Sequence, residues 1–316
     1  MLIAIVGLFI GFGLLVWGAD RFVAGAAALA HQWGVSPLLI GLTIVGFGTS
    51  APEIIVSGMA AWQGSPGLAI GNAIGSNIAN IGLILGITAL ITPLLVQSSV
   101  LRREYPILLI ASVLAYGLVL DGQLDWLDGS LLIVGLITTM VWLVKTSRQT
   151  TTDSTEVPAE VPDTMSCFAA AAWLGCGLAV LLGGSQLLIW CATELAKLFG
   201  MSELLIGLTI VAIGTSLPEL ATSVISALKQ EHDIAVGNVI GSNLYNLLAV
   251  LPIPGLIAPT LIEHAVLIRD LPVLLLLTLA LFILGYRRTG TGRINRIAGS
   301  LLLSSYIGYQ TWIYLG

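Results

Sequence analysis

Two stretches of this 316-residue chain, 166 positions apart, are close to identical. Gly41 to Glu53 reads GLTIVGFGTSAPE and Gly207 to Glu219 reads GLTIVAIGTSLPE; Gly71 to Asn80 (GNAIGSNIAN) returns as Gly237 to Asn246 (GNVIGSNLYN). Of the 23 aligned residues 17 match, and the same 27 positions separate Glu53 from Asn80 and Glu219 from Asn246. The fold must therefore house one local structure twice, and each copy places a single carboxylate inside an apolar run.

The length of those runs decides the solvent. A hydrocarbon core of about 30 Å takes roughly 20 apolar residues per helix, and runs of that kind lie near 2–20, 38–61, 67–93, 105–120, 127–145, 166–190, 204–228, 234–259, 271–286 and 297–315. Only 9% of residues are charged and 57% are hydrophobic, with a mean hydropathy of +1.00. Soluble domains carry charge on about 25% of residues. The expectation is an all-α polytopic membrane protein with ten transmembrane helices, arranged as two five-helix repeats, 1–145 and 166–316, around a linker at 146–165. Five spans per repeat turn the second half over relative to the first, the inverted plan common among secondary transporters.

The first run lacks a basic leading segment and has a counterpart near 173–196, so it reads as a structural helix and not a secretory signal. The linker, TSRQTTTDSTEVPAEVPDTM, is rich in Thr, Pro and acidic residues and reads as flexible. Lys and Arg in short loops set orientation. With the N-terminus outside, the inner loops hold nine (Arg102, Arg103, Lys145, Arg148, Lys229, Arg287, Arg288, Arg293, Arg296) and the outer ones two (Lys197, Arg269). Both termini are thus expected outside the cell membrane and the linker in the cytoplasm.

Polar residues within the runs carry the chemistry. Thr49, Glu53 and Ser57 are four apart and share a helical face, with Ser50 beside them. Thr215, Glu219, Ser223 and Ser216 repeat the pattern, and Asn72, Ser76 and Asn80 form a second stripe matched by Asn238, Ser242 and Asn246. An acid at mid-membrane costs at least about 2.5 to 3.5 kcal/mol and usually marks an ion path. Pro52 and Pro218 cannot donate to the carbonyls of Gly48 and Gly214, which loosens each helix just before its Glu. The donors are all oxygen, a set that suits Ca²⁺ with its six to eight ligands in flexible geometry better than Mg²⁺, and two carboxylates balance one Ca²⁺. Soft transition metals would want His or Cys.

The remaining features read as structural. Gly71 and Gly75, with Gly237 and Gly241, are expected to let helices approach closely. Cys167, Cys176 and Cys191 match no metal or disulfide framework and read as small buried residues. His31, His232 and His264 fall at span ends, and Asp20 is expected to pair locally with Arg21. No activated nucleophile or His-rich metal motif is visible, so no enzyme is expected.

These strings resemble the cation/Ca²⁺ exchangers, whose members carry two such segments, the alpha repeats, and the compact prokaryotic Na⁺/Ca²⁺ antiporters are the members the chain resembles most. The resemblance implies a central site on the second, third, seventh and eighth helices. Glu53 and Glu219 would be shared between Ca²⁺ and Na⁺; Thr49, Ser50, Thr215 and Ser216 would add hydroxyl or carbonyl oxygens; Ser76 and Ser242 would serve outer Na⁺ sites; Asn80 and Asn246 would line the centre. Carbonyls near Gly46 and Ala212 complete the implied set. Some members, the K⁺-dependent branches in particular, carry Asp where this chain has Asn246, so the resemblance is to K⁺-independent exchangers.

The expected function is antiport of Na⁺ against Ca²⁺ by alternating access within a lipid bilayer. No cofactor, nucleic acid or obligatory protein partner is expected. Two rivals stand beside it: an H⁺/Ca²⁺ antiporter with protons carried on Glu53 and Glu219, and a passive cation channel.

Overall fold

Inside a bilayer the backbone must satisfy its own hydrogen bonds, so apolar runs become helices. The computed structural model describes residues 2–96, 98–150, 165–198, 212–285 and 292–315, with side chains for all of these except 98–102, 146–150, 197 and 212. The architecture is a mostly helical, polytopic membrane fold. Its first half holds α1 (Leu2–Trp33), α2 (Pro37–Thr49), α3 (Ala51–Trp62), α4 (Pro66–Ile91), α5 (Ser98–Leu118) and α6 (Trp126–Thr150). The second holds α7 (Cys167–Leu198), the short α8 (Ala212–Thr215), α9 (Leu217–Leu228), α10 (His232–Ile257), α11 (Val266–Gly285) and α12 (Arg296–Leu315).

Six of these helices are long and apolar enough to cross a membrane: α1, α4, α6, α7, α10 and α11. The pair α2 and α3, bent by 43°, makes a seventh if taken as one span. The runs expected near 105–120 and 297–315 correspond to α5 and α12. The run near 204–228 corresponds to α8 and α9, and its first residues lie outside the described ones. Most of the linker, 151–164, also lies outside them, but α6 continues to Thr150, five residues into the segment read as linker. α1 likewise runs thirteen residues past the expected end at 20, because Ala24–Ala30 favours helix and packs inward.

The helices sort into an inner and an outer layer. In the most apolar window of α10, 94% of residues are buried, and in that of α4, 72%; the figure falls to 28% in α1, 22% in α7 and 17% in α6. The outer helices α1 and α7 present Phe9 and Phe168 outward, faces that lipid must cover. Polar residues follow the inner layer: Thr49, Ser50, Glu53, Asn80, Glu219, Asn238, Ser242 and Asn246 are all buried. α1 and α7 cross where Gly18 and Gly177 leave no room for a Cβ against the backbones of Leu181 and Phe22. Close approach replaces the hydrophobic drive that is missing between helices in lipid.

The duplication is legible in the elements. α3 and α9, and likewise α4 and α10, begin 166 residues apart, and π-helical turns at Asn80–Ile84 and Asn246–Val250 open at matching residues. The all-α expectation needs one correction. β1 (Leu94–Val96) pairs antiparallel with β4 (Gly292–Ile294), and β2 (Gln123–Leu124) with β3 (Thr260–Leu261). Each pair joins connecting segments from opposite halves, whose backbone groups leave helix and bond to one another.

Candidate cation site

Both Glu-bearing helices start at a break. Ser50 (φ −81°, ψ 3°) and Ser216 (φ −87°, ψ 2°) share one non-helical conformation, and Pro52 and Pro218 stand at the second position of the helix that follows. Glu53 and Glu219 therefore occupy the first turns of α3 and α9, each 1% exposed. The unpaired N–H groups there stabilise negative charge. Proline's missing donor has a further outcome that differs between the halves. The Ser185 hydroxyl of α7 donates to the Gly214 carbonyl at 3.0 Å, so that oxygen takes its donor from another helix.

Two clamps fix the carboxylate helices. Asn72 Nδ2 donates to Ser57 Oγ at 2.9 Å and to the Glu53 carbonyl at 3.4 Å; Asn238 Nδ2 donates to Ser223 Oγ at 2.9 Å and to the Glu219 carbonyl at 3.2 Å. The stripes read as ion-lining thus divide their work, with Asn72 and Asn238 bracing the backbone of each Glu. The halves also reach into one another. Ser50 Oγ, three residues before Glu53, donates to Glu219 Oε1 at 3.4 Å, so the break in one half touches the carboxylate of the other. Oε2 of Glu53 and of Glu219 is buried without a hydrogen-bond partner.

Around this pair the expected oxygens fall into two groups. Thr49 Oγ1 lies 3.0 Å from Asn238 Oδ1, 3.3 Å from Ser242 Oγ and 3.4 Å from the Gly46 carbonyl, and Ser242 Oγ lies 3.5 Å from the same carbonyl. On the other side Ser76 and Ser216 line a cavity of about 240 Å³ with Asn72, Tyr306, Gln310 and Tyr314. Thr215 is buried just before Ser216, and Ala212 opens α8. Asn80 and Asn246 open the two π turns, which pack on α9 and α3 respectively, so each half's Asn approaches the other half's Glu helix. No Lys, Arg or His pairs with either Glu among the described residues.

Among the described residues the matching space in the other repeat is filled. The cavity's wall residues Ala79, Ile213 and Tyr306 correspond by 166 positions to Tyr245, Phe47 and Met140, and these are packed together. Tyr245 sits edge-on to Phe47 with ring centroids 5.5 Å apart, its hydroxyl donating to the Thr43 carbonyl at 3.2 Å and lying 3.5 Å from Met140 Sδ. The glycines follow suit. A Cβ on Gly241 would collide with the Leu42 carbonyl, whereas Gly71 and Gly75 meet nothing and border the cavity. Packing glycines were expected in both copies; they pack in one. Among the described residues, then, the space beside Ser76 and Ser216 is a cavity, and the matching space of the other repeat is filled by Tyr245, Phe47 and Met140.

Two other expectations change. Asp20 pairs chiefly with Lys229 at 2.8 Å, linking α1 to the end of α9, while Arg21 stands 3.6 Å away and over the rings of Trp17 and Trp173. Cys191 is buried, but Cys167 and Cys176 are exposed on α7, since an apolar residue facing lipid need not be covered by protein. Residues that the sequence reading passed over include Asn77, Asn243, Ser185 and Tyr245. Asn77 and Asn243 stood within the repeated GSN string, one position off the stripe counted in steps of four. Ser185 and Tyr245 align with Ala19 and Ala79 and so had no repeat to announce them.

Known proteins share this chain's sequence and overall fold. The family described as sodium/calcium exchanger protein matches residues 3–145 and 169–315. The putative antiporter CaxA of Alkalimonas amylolytica is 47% identical, with 99% of each chain covered. The sodium/calcium exchanger MaX1 of Methanosarcina acetivorans is 31% identical, with 97% of each covered. A solved structure of the sodium-calcium exchanger NCX_Mj, soaked with Na⁺ and Sr²⁺, superposes with a TM-score of 0.85 at 33% identity over 98% of each chain. The chain belongs to the sodium/calcium exchanger protein family.

Proposed function

We propose that this member of the sodium/calcium exchanger protein family is a secondary antiporter that exchanges Na⁺ for Ca²⁺ by alternating access, without K⁺. The observation that carries the proposal is the pair Glu53 and Glu219: two buried acids in the first turns of proline-broken helices, ringed by neutral oxygens and, among the described residues, paired with no cationic side chain. Such a pair is costly in a membrane unless a cation or protons balance it. Two carboxylates neutralise one Ca²⁺, and hydroxyl, amide and carbonyl oxygens can make up its six to eight ligands.

In this reading Glu53 and Glu219 are shared by both ions, and coupling follows because they cannot coordinate Na⁺ and Ca²⁺ fully at once. Thr49, Ser50, Thr215, Ser216 and the carbonyls of Gly46 and Ala212 supply further oxygens; Ser76 and Ser242 serve outer Na⁺ positions, and Asn80 and Asn246 the centre. Support for Na⁺ as the driving ion comes from MaX1 and NCX_Mj, both described as sodium/calcium exchangers. The neutral Asn246 supports K⁺ independence, since it leaves two formal negative charges at the centre instead of three.

The proposed topology is ten spans in two inverted halves, 1–145 and 166–316, with both termini outside the cell membrane and the 146–165 linker in the cytoplasm. The cavity beside Ser76 and Ser216 then faces outward, and the cluster of Phe47, Met140 and Tyr245 closes the inner path. With three Na⁺ per Ca²⁺ one positive charge moves per cycle, worth about 2.3 kcal/mol per 100 mV. The test is ⁴⁵Ca²⁺ movement in proteoliposomes under a single imposed gradient. Outward Na⁺ drives uptake; uptake driven by a pH gradient in Na⁺-free buffer, or flux with no counter-ion, would replace this reading with the proton antiporter or the channel.

A further inference from the structure

Asn80 Nδ2 donates to Asn243 Oδ1 at 2.9 Å, a bond that crosses from α4 in one half to α10 in the other. It leaves Asn80 Oδ1 buried and without a hydrogen-bond partner. The repeat mates behave differently: in both Asn77 and Asn246 the amide nitrogen and oxygen are buried with no partner at all. All four asparagines are at most 1% exposed.

A carboxamide has two ends of nearly equal shape and opposite character. The oxygen accepts or coordinates, and the NH₂ group donates and repels a cation. A ligand Asn must therefore be held the right way round, a demand that a carboxylate, with two equivalent oxygens, does not make. We infer that Asn243 is a positioning residue that fixes the Asn80 carboxamide by accepting from its nitrogen, so that Oδ1 is presented to the cation. The inference rests on the proposed cation site and deepens it. Asn77 stands in the same register to Asn246.

A purely structural role fits the geometry less well. A buried Asn kept for packing would satisfy its own donor, yet Asn243 Nδ2 has no partner. What Asn243 supplies is a single oxygen aimed at the nitrogen of its neighbour. Partners behind a metal ligand typically govern its affinity by about 10- to 100-fold.

The test is a double-mutant cycle on the full chain, read as the dissociation constant for ⁴⁵Ca²⁺ at zero Na⁺. Asn243→Leu is expected to weaken binding by about tenfold or more, and Asn243→Asp, which still accepts from Asn80, to retain most of the affinity. In an Asn80→Asp background, where either oxygen can face the ion, Asn243→Leu is expected to cost little. Asn243→Ser, too short to reach Asn80, enters the same cycle if the Leu variant does not fold. Effects of the two sites that simply multiply, or an unchanged affinity in Asn243→Leu, overturn the inference. Absence of Ca²⁺ binding in the wild-type protein would instead overturn the cation site itself.

Discussion

The Ser185 hydroxyl donates at 3.0 Å to the carbonyl of Gly214, the oxygen that Pro218 leaves without a helical donor. The first half has Ala19 at the matching position and so lacks this tie. One of two otherwise equivalent breaks is thereby braced against α7. Ser185→Ala leaves the carbonyl without its partner and is expected to lower stability by about 1 to 3 kcal/mol, read as a reduced thermal midpoint in detergent. An unchanged midpoint would mean that Gly214 finds another donor.

Asn238 and Asn72 make the same two bonds, but Asn238 also accepts from Thr49 at 3.0 Å and is fully buried, whereas Asn72 is half-buried at the cavity. Asn238→Ala is expected to destabilise more than Asn72→Ala, by about one further hydrogen bond, or roughly 0.5 to 1.5 kcal/mol. Thermal unfolding of the two variants side by side checks the order.

Tyr245 fills the space opposite the cavity, packed with Phe47 and Met140 and bonded to the Thr43 carbonyl, where the proposed alternating access needs a gate. In a background without Cys167, Cys176 and Cys191, a cysteine at Ser242 is expected to react slowly with an impermeant thiol reagent added at the closed side. Tyr245→Ala should speed that reaction, and Tyr306→Ala, on the open side, should not. Equal rates in the two variants would remove Tyr245 from the gate.

Glu231 lies between α9 and α10, outside the spans. Burial pushes its carboxyl above the usual glutamate range, and the Lys229 charge draws it partly back. The unfolded chain ionises at the ordinary value and the folded protein only higher, so stability present below the ordinary value is lost as pH rises through the raised one. Glu231→Gln cannot ionise and is expected to escape that loss. Its advantage over wild type should appear at neutral pH and above and vanish in acid; a pH-independent difference would contradict the cause.

What the sequence made legible was whatever the duplication wrote twice. Glu53 and Glu219, the breaks at Ser50 and Ser216, and the Asn and Ser lines of α4 and α10 all stand in repeated strings, and helical spacing was enough to group them. Contacts between halves were not legible: the bond from Thr49 to Asn238 spans 189 positions, and nothing local encodes it. Nor was the one-sided cavity. It depends on Tyr245 standing where its mate is Ala79, an inequality that reads in sequence as an ordinary mismatch. The π turns at Asn80 and Asn246 escaped for a related reason, since one extra residue in a turn leaves the apolar pattern almost untouched.

The central claim is that Glu53 and Glu219 hold the exchanged ions in common. It is tested most directly by Na⁺-gradient-driven ⁴⁵Ca²⁺ uptake into proteoliposomes containing wild type, Glu53→Gln or Glu219→Gln, each first shown to be folded. The account predicts uptake in wild type and its loss in both variants, because removing either charge leaves Ca²⁺ undercompensated in a buried site. Uptake at the wild-type rate in either variant would contradict it.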